Sequence, residues 1–377
     1  MSLISYVTRI HFAENVLEDA LEAEFESLGI KRPLIVSDES ATRPGVQARL
    51  MLAMPRSLAP TLFDIEAGAA TEAACAEAAA LYLDSAADGL IGFGGAAAIG
   101  LAKAVGLRVS HQGPMRHFAG VEGGRARIHD VLPPLVAVPT TTGSCSEVVG
   151  AAVLSMDDGP YVTLVSPHLT PRVVICDPTL TLDLPVAPTA SAGMDTLTHC
   201  VETYIATAYN PPADGIARDG LRRAVAHLER AVFDGTDLDA RREMMAAALN
   251  GALADQKGLG GVHAMSRALA GVSRHALDHG ALNAVLLPHV LAFNAPAAAS
   301  RYGAIKREFG LASSADLPET IVRLRERIAL PARLGELGVD LDAIERAAAF
   351  AEGDLSNRTN PRRADAGDYL AMMRAAL

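Results

Sequence analysis

Short apolar runs alternate with helix-length segments through the first half of the chain, and this alternation constrains the fold more than any other feature. The segments between the apolar runs have the length and the polar spacing of helices. Such alternation is typical of a parallel sheet whose two faces are covered by helices. The candidate strands are residues 33–38, 62–65, 89–93, 135–138 and 173–176, and the clearest helices between them are residues 70–86 and 97–105.

The pattern changes after Asp177-Pro178, where long Ala- and Leu-rich amphipathic runs replace the strand signals. These runs cover residues 192–207, 215–232, 240–254, 261–271 and 282–293, and a last short helix follows the polar segment after Gly353. A chain of 377 residues has room for two domains. We therefore predict an α/β domain with a parallel sheet over residues 1–181 and an all-helical domain over residues 182–377.

Charge and cysteine usage argue against several kinds of partner. The net charge is −11 and Lys and Arg nowhere cluster, which argues against a nucleic-acid partner. The four cysteines form no CxxC pair, so neither a disulfide framework nor a structural zinc site is indicated. The N-terminus lacks a signal-peptide pattern, and no apolar stretch reaches the roughly 18 residues of a membrane span. We expect a cytoplasmic protein with no membrane partner.

A glycine-rich turn follows the third candidate strand, in the segment IGFGGAAAIGLAK at residues 91–103. Small residues let the backbone approach a pyrophosphate, and the N-terminus of the next helix offers free N–H groups. The pattern makes Gly94, Gly95, Ala96 and Ala97 candidates for binding a dinucleotide cofactor. An ordinary tight turn between a strand and a helix would have the same pattern, and this alternative stays open.

A second candidate for phosphate binding is VPTTTGSCSEV at residues 138–148, where a strand leads into small, mostly hydroxylated residues. Such a run can direct N–H and O–H groups towards one ligand, so Thr140, Thr141 and Ser144 are further candidate cofactor contacts. A surface loop is the alternative, although surface loops seldom follow so apolar a strand.

Asp38 ends the first candidate strand, at the sheet edge that faces the ligand crevice in doubly wound proteins. A carboxylate at this point can bind the ribose 2′-hydroxyl of NAD(H) and repel the 2′-phosphate of NADP(H). The surrounding sequence, Ser37-Asp38-Glu39-Ser40, is also well suited to a turn or a helix cap. The sequence leaves both roles open.

A candidate metal site lies in the helical half of the chain. Asp195 and His199 are four residues apart, so on a helix they share one face. One carboxylate and three imidazoles would form a four-ligand site for a divalent metal. Taken singly, each histidine could instead be a satisfied interior residue. The histidines that could complete the site are His263, His275, His279 and His289.

Five segments of the chain together resemble motifs of the iron-containing alcohol dehydrogenase family, and the resemblance covers essentially the whole chain. The segments are VPTTTGSCSEV, DPTLTLDLP, AGMDTLTHCVETY, VHAMSRALAG and HGALNAVLLPHVLAFN. His279 fits the last motif better than His275, because the glycine after the ligand and the distance to Pro288-His289 match only His279. The resemblance implies a metal site formed by Asp195, His199, His263 and His279.

The resemblance also implies a function. It predicts hydride transfer between NAD(H), preferred over NADP(H), and a small alcohol, aldehyde or ketone, with Fe²⁺ or Zn²⁺ as the Lewis acid. It further implies a nucleotide-binding α/β domain beside a helical metal-binding domain, Asp38 as the residue that selects NAD(H), and a homodimer. Two alternatives stay open: a reductase for a carboxylated substrate, like the related maleylacetate reductases, and a catalytically silent homologue.

The chain departs from the family pattern near the cofactor. In the glycine-rich turn the usual serine is Ala97 and the usual aspartate is Gly100, and Pro160-Tyr161 stand where a basic residue is expected. These changes remove side-chain contacts to the cofactor. The backbone cradle does not depend on them.

A further departure, Arg267, concerns catalysis. It stands where the family usually has a second histidine, four residues after the third metal ligand. A guanidinium does not release its proton near neutral pH, so Arg267 cannot relay one. Either the relay has moved to His275, in a two-residue insertion, or the substrate carries an anion that Arg267 binds. Pairing of Arg267 with a nearby acid such as Asp278 is the structural alternative.

Overall fold

The computed structural model describes residues 4, 6, 8–43, 45–65, 70–143, 145–157, 159–273 and 275–377. The chain divides into two compact units, one of which extends over Tyr6–Leu182 while the other contains Asp183–Leu377. The first unit is α/β and the second is helical, which confirms the predicted fold class. The expected cofactor contact Ser144 lies outside the described residues.

The sheet of the first unit is built from β1 Arg9–Phe12, β2 Pro33–Ser37, β3 Thr61–Asp64, β4 Gly89–Gly94, β5 Leu135–Pro139 and β8 Val173–Cys176. Its strand order is β1-β8-β5-β4-β2-β3, and each neighbouring pair is parallel. The carboxyl ends of β2, β4 and β5 therefore lie side by side. This is the edge where open α/β sheets bind their ligands.

Helices cover both faces of this sheet, namely α1 Val16–Leu28, α2 Val46–Ala53, α3 Glu72–Asp84 and α4 Ala96–Ser110. Successive strand residues point to opposite faces. Leu34 and Leu90 accordingly pack in the core formed with α3 and α4, while Ile35 and Ile91 pack in the core formed with α1 and α2. Burial on both faces explains why β2 and β4 are continuous apolar runs in the sequence.

The first unit also contains strands that the apolar runs do not predict. β6 Ala151–Met156 and β7 Gly159–Val165 form an antiparallel hairpin, and β1 is the edge strand beside β8. Burial alternates along β6, with Ala152 and Leu154 buried and their neighbours partly exposed, so a period of two replaces the continuous run. β1 has the sequence RIHF and is only partly buried, and its polar residues interrupt the apolar run by which a strand would be predicted.

The helical unit contains α5 Val186–Ile205, α6 Pro211–Phe233, α7 Leu238–Ala254, α8 Gly261–Val272, α9 His279–Glu308, α10 Leu317–Arg327, α11 Leu341–Gly353 and α12 Ala366–Ala375. Alanine makes up much of its core. On α6, for example, Ala213, Ala217 and Ala224 recur at helical spacing and are fully buried. Small side chains at these positions let neighbouring helices approach closely.

α9 is much longer than the predicted segment 282–293. It begins at His279 because the carboxylate of Asp278 accepts a hydrogen bond from the Ala281 N–H at 3.0 Å and caps the helix. It continues through Pro288 and Pro296. Contrary to the expectation from the sequence, α9 is long and apolar enough to cross a membrane, but 67% of its most apolar window is buried inside the protein, as in a core helix.

Candidate metal and cofactor sites

α5 carries the first two candidate metal ligands on one face. Asp195 and His199 are one helical turn apart, and both are buried. The Nδ1 atom of His199 lies 3.1 Å from the carbonyl oxygen of Asp195 and 3.2 Å from its carboxylate. Because both neighbours are acceptors, Nδ1 carries the ring proton. The lone pair on Nε2 is therefore left for another ligand.

His263, in the first turn of α8, has its ring held by Glu202 of α5. Nδ1 of His263 donates to the Glu202 carboxylate at 2.7 Å. The same carboxylate accepts the N–H groups of Gly260 and Val262 at 3.0 and 2.7 Å, which are the donors left free where a helix begins. The other ring nitrogen, Nε2, is buried with no hydrogen-bond partner. A ring nitrogen in this state is ready to bind a metal.

His279, the first residue of α9, lies in the same cluster as Asp195 and His263. Its Nε2 lies 3.9 Å from Oδ1 of Asp195, and Nε2 of His263 lies 3.6 Å from that oxygen. Asn283, one turn further along α9, donates to this oxygen at 2.7 Å. The ligand atoms of Asp195, His263 and His279 all lie within 4.8 Å of one another. His199 is outside this tighter group, but its ring meets the ring of His263 edge-on, with centroids 4.2 Å apart.

The charges of this cluster favour a bound cation. Burial alone would raise the pKa of Asp195, but the neighbouring histidines, His199 foremost, hold it well below its usual range. Burial alone would lower the pKa of His263, but Asp195 and Glu202 raise it to about 9, so a metal that binds this ring would displace a proton from it. Desolvation, with smaller contributions from His263 and Arg267, lowers the pKa of His279, so this ring stays neutral and its lone pair remains available. The ionised carboxylate thus attracts positive charge to this point.

The donor set fits a divalent metal. It combines an ionised carboxylate with imidazole nitrogens, and such a set suits Fe²⁺ and Zn²⁺ alike. The unsatisfied Nε2 of His263, with the Glu202 carboxylate on its other ring nitrogen, matches the carboxylate–histidine pairs that orient ligands at metal sites.

Arg267 lies one turn after the third candidate ligand on α8, and its acidic partner is not the expected one. Its Nη1 donates to Oγ of Ser356 at 3.1 Å and lies 3.7 Å from the carboxylate of Asp354. Asp278, which the sequence suggested, instead caps α9. The structural alternative, in which Arg267 pairs with an acid, is thus met by Asp354, and only the choice of Asp278 is wrong. Arg267 pairs with a segment 87 residues further along the chain, and sequence proximity does not indicate such a contact.

The guanidinium of Arg267 is close enough to the metal cluster to affect it. Its positive charge opposes the rise in the pKa of His263 and contributes to lowering the pKa of His279. Among the described residues its Nε and Nη2 atoms have no hydrogen-bond acceptor, and the side chain is 16% exposed. Arg267 therefore keeps two donor groups open near the cluster.

His275, the alternative proton relay, contacts a different part of the helical unit. It is exposed, and its Nε2 lies 3.3 Å from the carbonyl oxygen of Leu337. Gly338 packs against the ring so closely that a Cβ there would lie 2.7 Å from Nε2. Among the described residues, the hydrogen-bond partners of His275 do not include members of the metal cluster.

In the first unit, the glycine-rich turn between β4 and α4 has the backbone form of a phosphate cradle. Gly94 has a φ of 151°, a conformation that favours glycine. A Cβ at Gly94 would also lie 2.6 Å from Oδ1 of Asp38, so the turn closes around this carboxylate. Ala96 and Ala97 begin α4, where N–H groups have no partner within the helix.

Asp38 adopts the turn and cap geometry that the sequence left open. Its Oδ1 accepts the N–H and the hydroxyl of Ser40 at 3.0 and 2.6 Å. Its Oδ2 accepts the N–H groups of Gly95 and Ala98 at 2.8 and 3.3 Å. The carboxylate is only 7% exposed and joins the end of β2 to the start of α4.

The two candidate threonines after β5 face different ways. Thr140 is fully buried, and its hydroxyl lies 2.7 Å from that of Ser40. Thr141 is partly exposed and lies beside Gly95, where a Cβ on the glycine would be 3.6 Å from Oγ1 of the threonine. Of the two, Thr141 has the hydroxyl that a ligand at the turn can reach.

Three further residues support these sites, and the motifs did not single them out. Glu202 lies seven residues after Asp195, and Asn283 lies four residues after His279, so helical spacing alone could have identified both. Lys103 is buried in α4 and donates to three backbone carbonyls in the segment 146–151, at 2.6–2.9 Å. Its role depends on tertiary packing that no local pattern reveals.

A parallel sheet with a glycine-rich turn at its ligand-binding edge, together with a helical unit that contains a carboxylate–histidine cluster, is the combination expected of a nucleotide- and metal-dependent oxidoreductase. Two family models match the chain. The model of iron-containing alcohol dehydrogenase matches residues 7–178, and the C-terminal model of the Fe-containing alcohol dehydrogenase family matches residues 189–377. The chain belongs to the iron-containing alcohol dehydrogenase family, which confirms the resemblance seen in its motifs.

The chain is similar to several dehydrogenases. The chain is 43% identical to 4-hydroxybutyrate dehydrogenase of Cupriavidus necator, over 100% of both chains. It is 33% identical to 1,3-propanediol dehydrogenase of Klebsiella pneumoniae, over 93% of this chain and 92% of that one. A crystal structure of 1,3-propanediol oxidoreductase matches with a TM-score of 0.89 and 30% identity over both full chains. The protein is thus an oxidoreductase of the alcohol dehydrogenase type, linked to NAD(H) and acting on a small alcohol or aldehyde.

Proposed function

We propose that this enzyme oxidises a short primary alcohol with a carboxylate at its other end, and reduces the corresponding semialdehyde. The observation that carries the proposal is the guanidinium of Arg267, which keeps two donor groups open near the metal cluster. The relative with 43% identity is named for a substrate of this kind, 4-hydroxybutyrate. A neutral diol, as in the name of the second relative, would have no use for this cation.

The metal would be held by Asp195, His199, His263 and His279. When bound, it supplies Lewis-acid stabilisation for the negative charge that develops on the substrate oxygen. Glu202 orients the ring of His263 through Nδ1, and Asn283 orients the carboxylate of Asp195 through Oδ1. These contacts fix the ligand directions before substrate binds.

The ion pair of Arg267 leaves room for a second anion. Its contacts with Asp354 and Ser356 use Nη1, so the edge formed by Nε and Nη2 remains open. That edge can bind a carboxylate through two parallel hydrogen bonds. Asp354 also accepts the N–H of Ser356 at 2.8 Å, and its carboxylate is no closer than 3.7 Å to Nη1 of Arg267.

The test compares Arg267→Met with the parent enzyme on substrates of equal length. A charged hydrogen bond contributes ~1.5–3 kcal/mol, so KM for 4-hydroxybutyrate should rise roughly ten- to a hundredfold. KM for 1-butanol should stay within about threefold, because this alcohol has no carboxylate. The control is Arg218→Met, which breaks a partly buried ion pair with Glu308 in the same unit and should change neither value.

Other results would point elsewhere. Equal losses on both substrates, or a parent enzyme that prefers the neutral alcohol, would refute the anion site. Faster turnover of maleylacetate than of any semialdehyde would favour the reductase alternative. A metal-loaded protein that binds NADH but turns over no substrate would favour a catalytically silent homologue.

The remaining parts of the proposal concern cofactor, metal and setting. NAD(H) is preferred over NADP(H), because the negative charge of Asp38 opposes a 2′-phosphate.

Fe²⁺, for which the family is named, is the native metal, with Zn²⁺ as the alternative. Reconstitution of the metal-free enzyme with each ion tests this. The protein works as a homodimer in the cytoplasm, where its free, buried cysteines stay reduced. Sedimentation analysis tests the dimer.

A further inference from the structure

All the hydrogen-bond acceptor positions of the Asp38 carboxylate are occupied by donors of the protein itself. A carboxylate offers about four acceptor positions. Here Ser40 fills two of them, through its N–H and its hydroxyl, and the N–H groups of Gly95 and Ala98 fill the other two. A ribose hydroxyl could reach Asp38 only by displacing one of these donors.

The same carboxylate connects the ends of three neighbouring strands. Asp38 follows β2, and two of its donors lie at the start of α4, directly after β4. The third connection runs through Ser40, whose hydroxyl lies 2.7 Å from that of Thr140 after β5. Because Ser40 gives its single hydroxyl proton to Asp38, Thr140 must donate to Ser40. Both candidate phosphate-binding segments are thus tied to one carboxylate.

We infer that Asp38 is a positioning residue, which holds the turn from Gly94 to Ala98 in the shape that receives the pyrophosphate. Asp38 does not form hydrogen bonds with the ribose hydroxyls. The N–H groups of Ala96 and Ala97 remain available for the phosphates. Discrimination against NADP(H) then depends on charge repulsion without a hydrogen bond to the 2′-hydroxyl. The inference rests on cofactor binding at this turn and is independent of the alcohol substrate.

The first test uses the unmodified protein. Dissociation constants are measured by calorimetry for ADP and for 2′-deoxy-ADP, which differ only in the ribose 2′-hydroxyl. A positioning role for Asp38 predicts constants within about threefold of each other, whereas a charged hydrogen bond to the hydroxyl would make the deoxy compound at least about tenfold weaker. A ratio above threefold, or no binding of ADP, would overturn the inference.

The second test is Asp38→Asn, with Glu39→Gln as the matched control. The NH₂ group of asparagine points either at Ser40 or at the N–H groups of Gly95 and Ala98. In either orientation it replaces an acceptor oxygen by a donor, so the two groups on that side lose their hydrogen-bond acceptor. Affinities for ADP and 2′-deoxy-ADP should weaken together, by about tenfold, and the amides of Gly95 and Ala98 should exchange faster. Glu39 is an exposed neighbour, so its loss of charge should leave both affinities within twofold.

The kinetic signature separates positioning from general stability. In Asp38→Asn, KM for NADH should rise while kcat at saturating NADH and KM for the alcohol stay unchanged. The inference would be overturned if Asp38→Asn bound ADP as tightly as the parent enzyme. It would also be overturned if the parent bound ADP more tightly than 2′-deoxy-ADP and this difference disappeared in the variant. If Asp38→Asn does not fold, the ratio of the dissociation constants for 2′-deoxy-ADP and ADP, measured with the unmodified protein, still tests the inference.

Discussion

The metal cluster and the cofactor turn differ in how far their polar atoms are satisfied by the protein. In the helical unit, Nε2 of His263 is buried with no partner, and the ionised Asp195 faces several imidazoles. In the α/β unit, Asp38 has four donors and no open acceptor position. The first site is incomplete without a cation, whereas the second is complete before its ligand arrives.

This difference indicates how each site depends on its ligand. A buried nitrogen without a partner destabilises the unfilled site, and a bound metal relieves this cost, so metal binding should couple strongly to the order of the cluster. The carboxylate at the cofactor turn has no such deficit. The amides of this turn are held by side chains that belong to the same unit, so its shape should persist without NAD(H). Mutations should therefore act differently in the two units.

The largest effect is expected for His263→Ala. It removes a metal ligand, so bound metal should be lost and activity should fall roughly a thousandfold, because a Lewis acid supplies several kcal/mol. Elemental analysis measures the metal, and circular dichroism should find the helical unit still folded. His227→Ala, on the partly buried histidine of α6, is the control. A His263→Ala variant with full metal occupancy would mean that the ligand assignment is wrong.

A smaller effect is expected for Glu202→Gln. The amide keeps the size of the side chain but offers only one acceptor oxygen to the ring of His263 and to the N-terminal amides of α8. Metal affinity should fall about ten- to a hundredfold, as is usual when the partner of a ligating histidine is lost. Competition with a chelator measures this affinity. Glu229→Gln, in an exposed ion pair with Arg327, should bind metal normally. Equal affinities in both variants would remove Glu202 from the metal site.

The smallest effect is expected for Asp38→Gly, measured as the ratio of kcat/KM with NADH to that with NADPH. Loss of the negative charge should reduce this ratio, by about tenfold or less, while binding of both cofactors weakens as the turn loses its cap. Steady-state kinetics with each cofactor gives the ratio. If the parent enzyme uses NADH and NADPH equally well, Asp38 plays no part in cofactor choice.

The sequence predicted those features that depend on local spacing. Asp195 and His199 follow from a single helical turn, and the strands buried on both faces follow from their continuous apolar runs. His279 required more, because spacing alone did not distinguish it from His275, and only the motif of the family favoured it. The helical positions and the strands agree with the structure because each depends on residues close together in the chain, whereas the metal-binding role of these side chains stays a prediction.

Contacts between distant segments could not be predicted in this way. Arg267 pairs with Asp354 because the segment after α11 returns to α8, which no pattern near either residue reveals. Asp38 is a similar case, since its local sequence suits both a cap and a ribose contact. Only the fold brings the amides of Gly95 and Ala98 to its carboxylate. The roles of such residues depend on the whole arrangement of strands and helices.

The start of α9 has a consequence for how this enzyme can evolve. Asp278 accepts a hydrogen bond from Ser191 of α5, and Gly280 packs so closely against the Ser191 backbone that no side chain fits there. His279, between them, is therefore held by α5 and not by the loop that precedes it. We therefore expect insertions and deletions in that loop to be tolerated, because they leave His279 where it is. The two residues by which the spacing from His263 to His279 exceeds that usual for the family are one such change. The loop is consequently a place where selection, or a protein engineer, can vary length and sequence without moving His279.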